Sequence, residues 1–216
     1  MPLEDYKRER DFENTPEPAF KDFISADKDS HSKLSEYSKS NENSENIEYE
    51  HSKSKDNSES NGKLSFVVHK HFASHLHFDL RLELDGVLKS WAIPKGPTIN
   101  PKEKKLAIMV EDHPLEYKDF EGVIPDGNYG AGQVYIWDKG SYHALGALNK
   151  LESTKILREG LENGHLTFIL NGKILKGEFA LVRLKKASPK DWLLIKKNDE
   201  FAKNIDVTKI KAPNEV

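Results

Sequence analysis

From His77 to Leu84 the chain alternates without a break. Phe78, Leu80, Leu82 and Leu84 are apolar, and His77, Asp79, Arg81 and Glu83 between them are ionisable or charged. A period of two is what a β-strand with one buried face produces, because successive side chains leave the backbone on opposite sides. The apolar set is committed to a core. The other face then carries imidazole, carboxylate, guanidinium and carboxylate in a row, each roughly 7 Å from the next. Packing does not require that polar row, so it reads as a site. Four of the nine histidines, His69, His71, His75 and His77, fall within or just before it.

Short segments of the same kind follow at close intervals, over 64–71, 87–93, 105–111, 133–137, 166–170, 173–175, 178–183 and 192–196. Asp85-Gly86 and Asn171-Gly172 have the composition of two-residue hairpin turns. Pro94, Pro97, Pro101 and the run 124–132 mark loops. A helix is expected only over 153–162, with Ser153 as N-cap and Gly164 just past its end. Many short strands with few helices predict a mostly β protein, a small closed antiparallel barrel with one or two short helices.

The barrel is expected over 63–200. Residues 25–62 are Ser, Asn, Glu and Lys with almost no large apolar side chains. Such a stretch cannot offset its ordering entropy and is expected to be disordered. Residues 1–24 read as a charged arm, made extended by Pro16 and Pro18, and taken alone as a frayed terminus. Residues 201–216 read as a tail. The chain has no cysteine, which excludes disulfides and thiolate chemistry. A net charge of -3 means that any basic surface is local. No apolar run approaches the ~20 residues of a membrane span, and the charged N-terminus is unlike a signal peptide. The expectation is a cytoplasmic monomer with no membrane partner.

His71 ends the segment before a bend at 72–74. If the chain reverses there, His71 faces His77 and Asp79, and two imidazoles with one carboxylate leave coordination positions open on a bound cation. That donor set suits manganese, iron or zinc. His69 and His75 read as neighbours of the trio rather than ligands. His113 and Tyr117 stand just beyond a strand, where catalytic side chains are common. Lys95, Lys104 and Lys105, with Arg81, supply local positive charge suited to a phosphate. The glycines of 127–132 have neither Rossmann nor P-loop spacing. Two other readings stay open. One is a non-catalytic nucleic-acid-binding barrel in which Trp91, Tyr129 and Trp137 stack bases. The other is a metal-binding barrel acting on a small molecule in a deep apolar pocket.

Four motifs in order carry a family resemblance. They are His71-Phe-Ala-Ser-His-Leu-His-Phe-Asp-Leu-Arg-Leu-Glu83, Leu88-Lys-Ser-Trp-Ala-Ile-Pro-Lys-Gly-Pro97, Val110-Glu-Asp-His-Pro-Leu-Glu-Tyr117 and Phe120-Glu-Gly-Val-Ile-Pro-Asp-Gly-Asn-Tyr-Gly-Ala-Gly132. Together they resemble the 3′-phosphoesterase domain of bacterial DNA ligase D, in the free-standing form found in some archaea and bacteria. The resemblance implies a manganese-dependent hydrolase acting on DNA or RNA-tipped DNA 3′ ends of a primer-template in non-homologous end joining. Co2+ and Zn2+ are the other cations it admits. It implies removal of a 3′-terminal ribonucleoside and then of the 3′-phosphate, alongside a separately encoded ligase or polymerase, with nucleoid association during repair. The implied metal ligands are His71, His77 and Asp79. The implied catalytic residues are Arg81, a protonated His113, Lys95 and Tyr117, with Arg10, Asp11 and Glu17 from an arm folded over the active site. Lys105 and His75, where the family often has arginine, are the implied substrate contacts.

Overall fold

Eight antiparallel strands close into a ring, and the site described below lies on the outside of its wall. The structure, a computed structural model, describes residues 3–19 and 63–216; the expected disorder of 25–62 lies outside the described residues. Helix α1 (Leu3–Arg8) opens the arm. The strands are β1 (Leu64–Phe72), β2 (Leu76–Leu84), β3 (Val87–Ile93), β4 (Lys104–Met109), β5 (His113–Pro114), β6 (Gly122–Ile124), β7 (Gly132–Ala144), β8 (His165–Asn171), β9 (Lys176–Arg183) and β10 (Asp191–Lys196). Helix α2 (Lys150–Asn163) joins β7 to β8. The ring runs β1-β2-β3-β4-β10-β9-β8-β7 and closes by β7 pairing with β1; β5 adds to β3 and β6 to β7. Closure leaves the wall without open edges. The architecture is the mostly β closed barrel that the alternation and turns imply.

The interior is filled. Phe78, Leu80, Leu82 and Leu84 of β2 point inward as their alternation requires, among Phe66, Trp91, Trp137, Phe168, Phe179 and Trp192. Trp91 and Trp137 are therefore core residues and offer no ring to a base. These apolar side chains fill the barrel interior as one packed cluster among the described residues. A second, smaller apolar layer sits on the outside of the wall, where Tyr6 of α1 packs with Leu88, Tyr117, Phe120, Ile124 and Val134. It covers the polar face of β2, which is why Asp79 and Arg81 are as buried as the leucines beside them.

Three local expectations need correction. Helix α2 begins earlier than 153, because Asn149 is the cap, its side chain accepting from the Glu152 amide at 2.9 Å. Ser153 lies inside the helix, its Oγ accepting from the Ala144 amide at 2.7 Å. The C-terminal stop is as expected, with Gly164 left-handed at φ 74. Asn171-Gly172 is not a two-residue hairpin. The pairing resumes at Asn171 with Lys176, leaving a four-residue loop in place of the expected strand at 173–175. The Asp138 carboxylate organises it by accepting from the amides of Lys173, Ile174 and Leu175 at 2.8, 3.2 and 2.7 Å. A Cβ at Gly172 would fall on that carboxylate, so this glycine is there for space.

Residues beyond 200 pack on the barrel. Val207 and Ala212 join the core, Trp137 Nε1 donates to the Ile210 carbonyl at 2.9 Å, and Glu215 accepts from the buried Lys70 ammonium at 2.8 and 2.9 Å. No helix among the described residues is long and apolar enough to cross a membrane. Asp138→Ala is expected to lower the unfolding free energy by about 2–4 kcal/mol, because three amides lose their acceptor. Urea titration of the two proteins measures it, and a loss under about 0.5 kcal/mol would show that the loop holds itself.

Candidate active site

The register of the β1–β2 hairpin assembles the site. His71 pairs with His77 and His69 with Asp79, so all four side chains stand on the same outer face. The His71 and His77 rings are 4.6 Å apart between centroids. One ligand atom from each of His71, His77 and Asp79 falls within 4.8 Å of the others. The expected trio is thus brought together.

Backbone carbonyls hold both imidazoles. His71 Nε2 lies 2.9 Å from the Gly130 carbonyl, and His77 Nδ1 lies 3.0 Å from the His75 carbonyl. A carbonyl only accepts, so each of those nitrogens carries the proton. The remaining nitrogens, His71 Nδ1 and His77 Nε2, keep their lone pairs and face the two oxygens of Asp79, each at 3.7 Å. An imidazole fixed by a donated hydrogen bond is the usual arrangement of a metal-binding histidine. Two neutral nitrogens and a carboxylate fit a divalent transition ion on that donor chemistry.

Gly130 reaches His71 through a loop of two successive turns, closed by Asn128 N to Pro125 O and Ala131 N to Asn128 O at 3.2 and 3.1 Å. Gly127 and Gly130 occupy the third position of each turn with φ of 89 and 77, which side-chain-bearing residues rarely adopt. The glycine run is a positioning loop for an imidazole.

Arg81 and Asp79 are coupled, with Arg81 Nη2 donating to Asp79 Oδ2 at 3.2 Å. Burial works against the Asp79 charge, but the Arg81 guanidinium holds its carboxyl well below the usual carboxylate range. Arg81 is itself braced by Nε donating to His69 Nδ1 at 3.2 Å, and it lies 4.7 Å over the Tyr117 ring. Full burial, and then Arg81, bring His69 down to about 3, so it stays neutral and accepts.

The arm completes the pocket. Arg10 donates from Nε to Glu17 at 3.2 Å and from Nη2 to Glu111 at 2.8 Å. Tyr117 donates its hydroxyl to the same Glu17 carboxylate at 3.0 Å, and Tyr6 donates to the Pro18 carbonyl at 2.8 Å. The arm is thus docked and is no frayed terminus over this part. His113 Nδ1 bonds the Glu111 carbonyl at 2.9 Å, which leaves Nε2 as the acceptor, 3.4 Å from Arg10 Nη2. The expectation of a protonated His113 does not hold for the free protein. Burial, followed by the nearby Arg81 and Arg10, pushes its pKa far down. Among the described residues, Nη1 of Arg10 and Nη1 of Arg81 are buried with no hydrogen-bond partner. Both arginines line one pocket of about 180 Å³ with His71, His77, Asp79, Glu17, Glu111, His113, Tyr117 and Tyr129.

Four expected residues stand elsewhere. Asp11 is exposed, and its carboxylate turns to the Glu13 amide and the Asn14 side chain at 3.2 and 2.8 Å. His75 is exposed in the hairpin turn and serves the site through its carbonyl. Lys95 and Lys105 line a separate cavity of about 310 Å³ with Thr98, Glu103, Asp206 and Thr208. Lys105 pairs there with Glu103 at 2.7 Å. Sequence reasoning missed Glu111, and it named Tyr129 only as a base-stacking ring of the non-catalytic binding reading. Glu111 stands two residues before His113, inside a motif already singled out; Tyr129 lies in the glycine run that was set aside for lacking phosphate-loop spacing.

A family model described as the DNA Ligase D 3′-phosphoesterase domain matches residues 69–183, which is just over half of the chain. The chain belongs to this family. Within that family, it is 42% identical over 206 residues to the multifunctional non-homologous end joining protein LigD of Pseudomonas aeruginosa, covering 95% of this chain and 20% of that protein. It is 44% identical over 119 residues to the multifunctional non-homologous end joining DNA repair protein LigD of Mycobacterium tuberculosis, covering 55% of this chain and 14% of that one. A Mycolicibacterium smegmatis relative of the same description as the first is 41% identical over 140 residues, with 62% and 17% covered. The chain therefore spans a fifth or less of these relatives' lengths. The phosphoesterase-domain match begins at His69, so Arg10 and Glu17 enter the pocket through the fold of the arm and not through the matched segment.

His69 and His113 are neutral when folded and take up a proton near pH 6.5 when unfolded. The unfolded chain therefore binds more protons below that pH, and the stability they contribute is complete above about pH 6.5 and lost as pH falls. Each contributes a slope of up to about 1.4 kcal/mol per pH unit. Denaturant titrations between pH 7.5 and 5.5 in the presence of chelator are expected to show this loss, with a shallower slope in His113→Gln. A flat profile would mean that neither ring is held neutral.

Proposed function

We propose that the chain is a metal-dependent 3′-phosphoesterase that heals DNA ends for non-homologous end joining. It removes a 3′-terminal ribonucleoside as a phosphodiesterase and then hydrolyses the remaining 3′-phosphate to a 3′-OH. One observation carries the reading: beside the His/His/Asp trio, Nη1 of the buried Arg81 and Nη1 of the buried Arg10 lack a hydrogen-bond partner, the latter having only the Glu9 carboxylate at 3.9 Å. An unpaired buried donor is costly, and a phosphoryl group entering this pocket supplies acceptors for both.

His71 Nδ1, His77 Nε2 and Asp79 would hold the cation, Mn2+ or another divalent transition ion such as Co2+ or Zn2+. When bound, that cation supplies Lewis acidity toward a phosphoryl oxygen. Arg81 and Arg10 bind the other nonbridging oxygens and stabilise charge that grows in the transition state. Glu17 and Glu111 fix Arg10, and Tyr117 fixes Glu17. His113 presents Nε2 as a proton acceptor. A phosphate anion beside it offsets the burial that keeps it neutral, so the ring takes up a proton and adds positive charge where it is needed. Glu17 and Glu111 are the carboxylates nearest to orient a ribose 2′-OH; Asp11 is turned away. The partner enzymes of this reaction are the ligase and polymerase of end joining, and the compartment is the cytoplasm, at the nucleoid.

An end-labelled primer-template with one 3′ ribonucleotide tests the reading with Mn2+, Co2+, Zn2+ or Mg2+ added. Wild-type protein is expected to yield a 3′-phosphate end and then a 3′-OH end. His71→Ala is expected to lose more than about a hundredfold in rate, and to bind Mn2+ more weakly by electron paramagnetic resonance, since even indirect partners of a metal are worth 10–100-fold. Arg81→Lys keeps charge but loses the planar fork, and a loss of about 10²–10³-fold is expected. Absence of product with wild-type protein in all four metals, or wild-type rates from His71→Ala, would overturn the assignment.

A further inference from the structure

We infer that Tyr129 is the stacking platform for the base of the 3′-terminal nucleotide, and hence the residue that makes this pocket read a nucleotide instead of a bare phosphate ester. The inference rests on the phosphoesterase reading above and adds to it a binding residue. Of the two tyrosines lining the pocket, Tyr117 is 2% exposed and Tyr129 is 52% exposed. Trp91 and Trp137 are sealed in the core. Tyr129 is thus the one large aromatic surface at the pocket that solvent, or a base, can reach among the described residues.

Its placement is built. The ring is carried by the turn that ends on Gly130, and the next peptide in the chain supplies the carbonyl that orients His71. On the inner side, the Arg10 guanidinium lies 5.2 Å from the ring centroid. Asn128, just before Tyr129, reaches toward the arm's Asn14 carbonyl at 3.5 Å. The ring is therefore tied on one side to a metal-ligand imidazole and on the other to a phosphate-binding arginine. A pocket of about 180 Å³ takes the phosphoryl group and part of the ribose, which leaves the base at the rim where Tyr129 stands. Stacking tolerates any base because each presents a π-face.

The consequence is a site indifferent to base identity and sensitive to base absence. Removing an aromatic platform usually costs about 5- to 100-fold in affinity per stacked base. The test uses the full chain with Mn2+ and primer-templates ending in a 3′ ribonucleotide, either with its base or abasic. Equilibrium binding is followed by anisotropy, and cleavage by end-labelling. Tyr129→Ala is expected to lose about 5- to 100-fold in binding and in kcat/KM on the base-bearing end, with no change on the abasic end. Tyr129→Phe and Tyr129→Trp are expected to match wild type on both. Wild-type affinity from Tyr129→Ala on the base-bearing end would overturn the inference, as would an equal loss on the abasic end, which would show a displaced loop. Binding differences with no cleavage by any protein would sustain the platform and sink the enzymatic reading, so the two failures are distinguishable.

Discussion

The buried ion pair between Asp79 and Arg81 is what the rest of the site depends on. Both groups sit on the outer face of a barrel wall, where a strand would ordinarily meet water, and both are nearly inaccessible. Burying two charges is repaid only when geometry is good and the remaining donors and acceptors are satisfied. Asp79 answers to the Arg81 guanidinium, and the two imidazole nitrogens at 3.7 Å leave it the third member of a cation site. Arg81 answers to Asp79, to a neutral His69 and to the Tyr117 face, with only its Nη1 left without a hydrogen-bond partner. The cover of α1, Tyr6 and Tyr117 is possible because the charges beneath it are paired; the pairing is strong because the cover excludes water. Neither half stands without the other.

Register makes this arrangement discrete. A slip of one residue between β1 and β2 would send His71, His77, Asp79 and Arg81 into the core and the leucines outward. The same pairing that buries Leu80 and Leu82 therefore sets the metal-ligand trio. The carbonyls of Gly130 and His75 then select the tautomer of each imidazole, so that both lone pairs meet the carboxylate. Glycine is required at Gly132, where a Cβ would collide with the Phe72 carbonyl. The close approach of that loop to the β1 end is what brings its carbonyl within reach.

What was legible in the sequence follows from this. Period-two alternation reports the register of a strand, so β2, its core face and its polar row could be read from Phe78 to Leu84. The trio followed because both imidazoles flank one hairpin. Contacts that depend on distant chain segments leave no such trace. Asp138 captures three amides more than thirty residues away, and the composition of Asn171-Gly172 gives no sign of it. Glu111 meets Arg10 across about a hundred residues. The resemblance placed Arg10, Glu17 and Asp11 together, but Asp11 follows Arg10 directly, and side chains adjacent in sequence seldom share one target. Lys95 and Lys105 were placed at the phosphate by their charge and by the resemblance. Charge carries no direction, and both lie in another cavity.

The charges of the pocket explain why a cation and an anion belong in it together. Two guanidinium groups, Arg10 and Arg81, face three carboxylates, Asp79, Glu17 and Glu111, a formal charge of −1 with the imidazoles neutral. In that state the net charge opposes the proposed phosphate substrate despite the two arginines, because Arg10 is already shared by Glu9, Glu17 and Glu111 and Arg81 is held by Asp79. A divalent ion held by His71, His77 and Asp79 would reverse the sign and share Asp79 with Arg81. The Arg81 guanidinium then has less of its charge committed to Asp79 and more to offer an incoming oxygen. By linkage, whatever the ion adds to phosphate affinity the phosphate adds to ion affinity. On the proposed reading Glu17 and Glu111 thus do more than anchor the arm, since their negative charge ties anion binding to the metal.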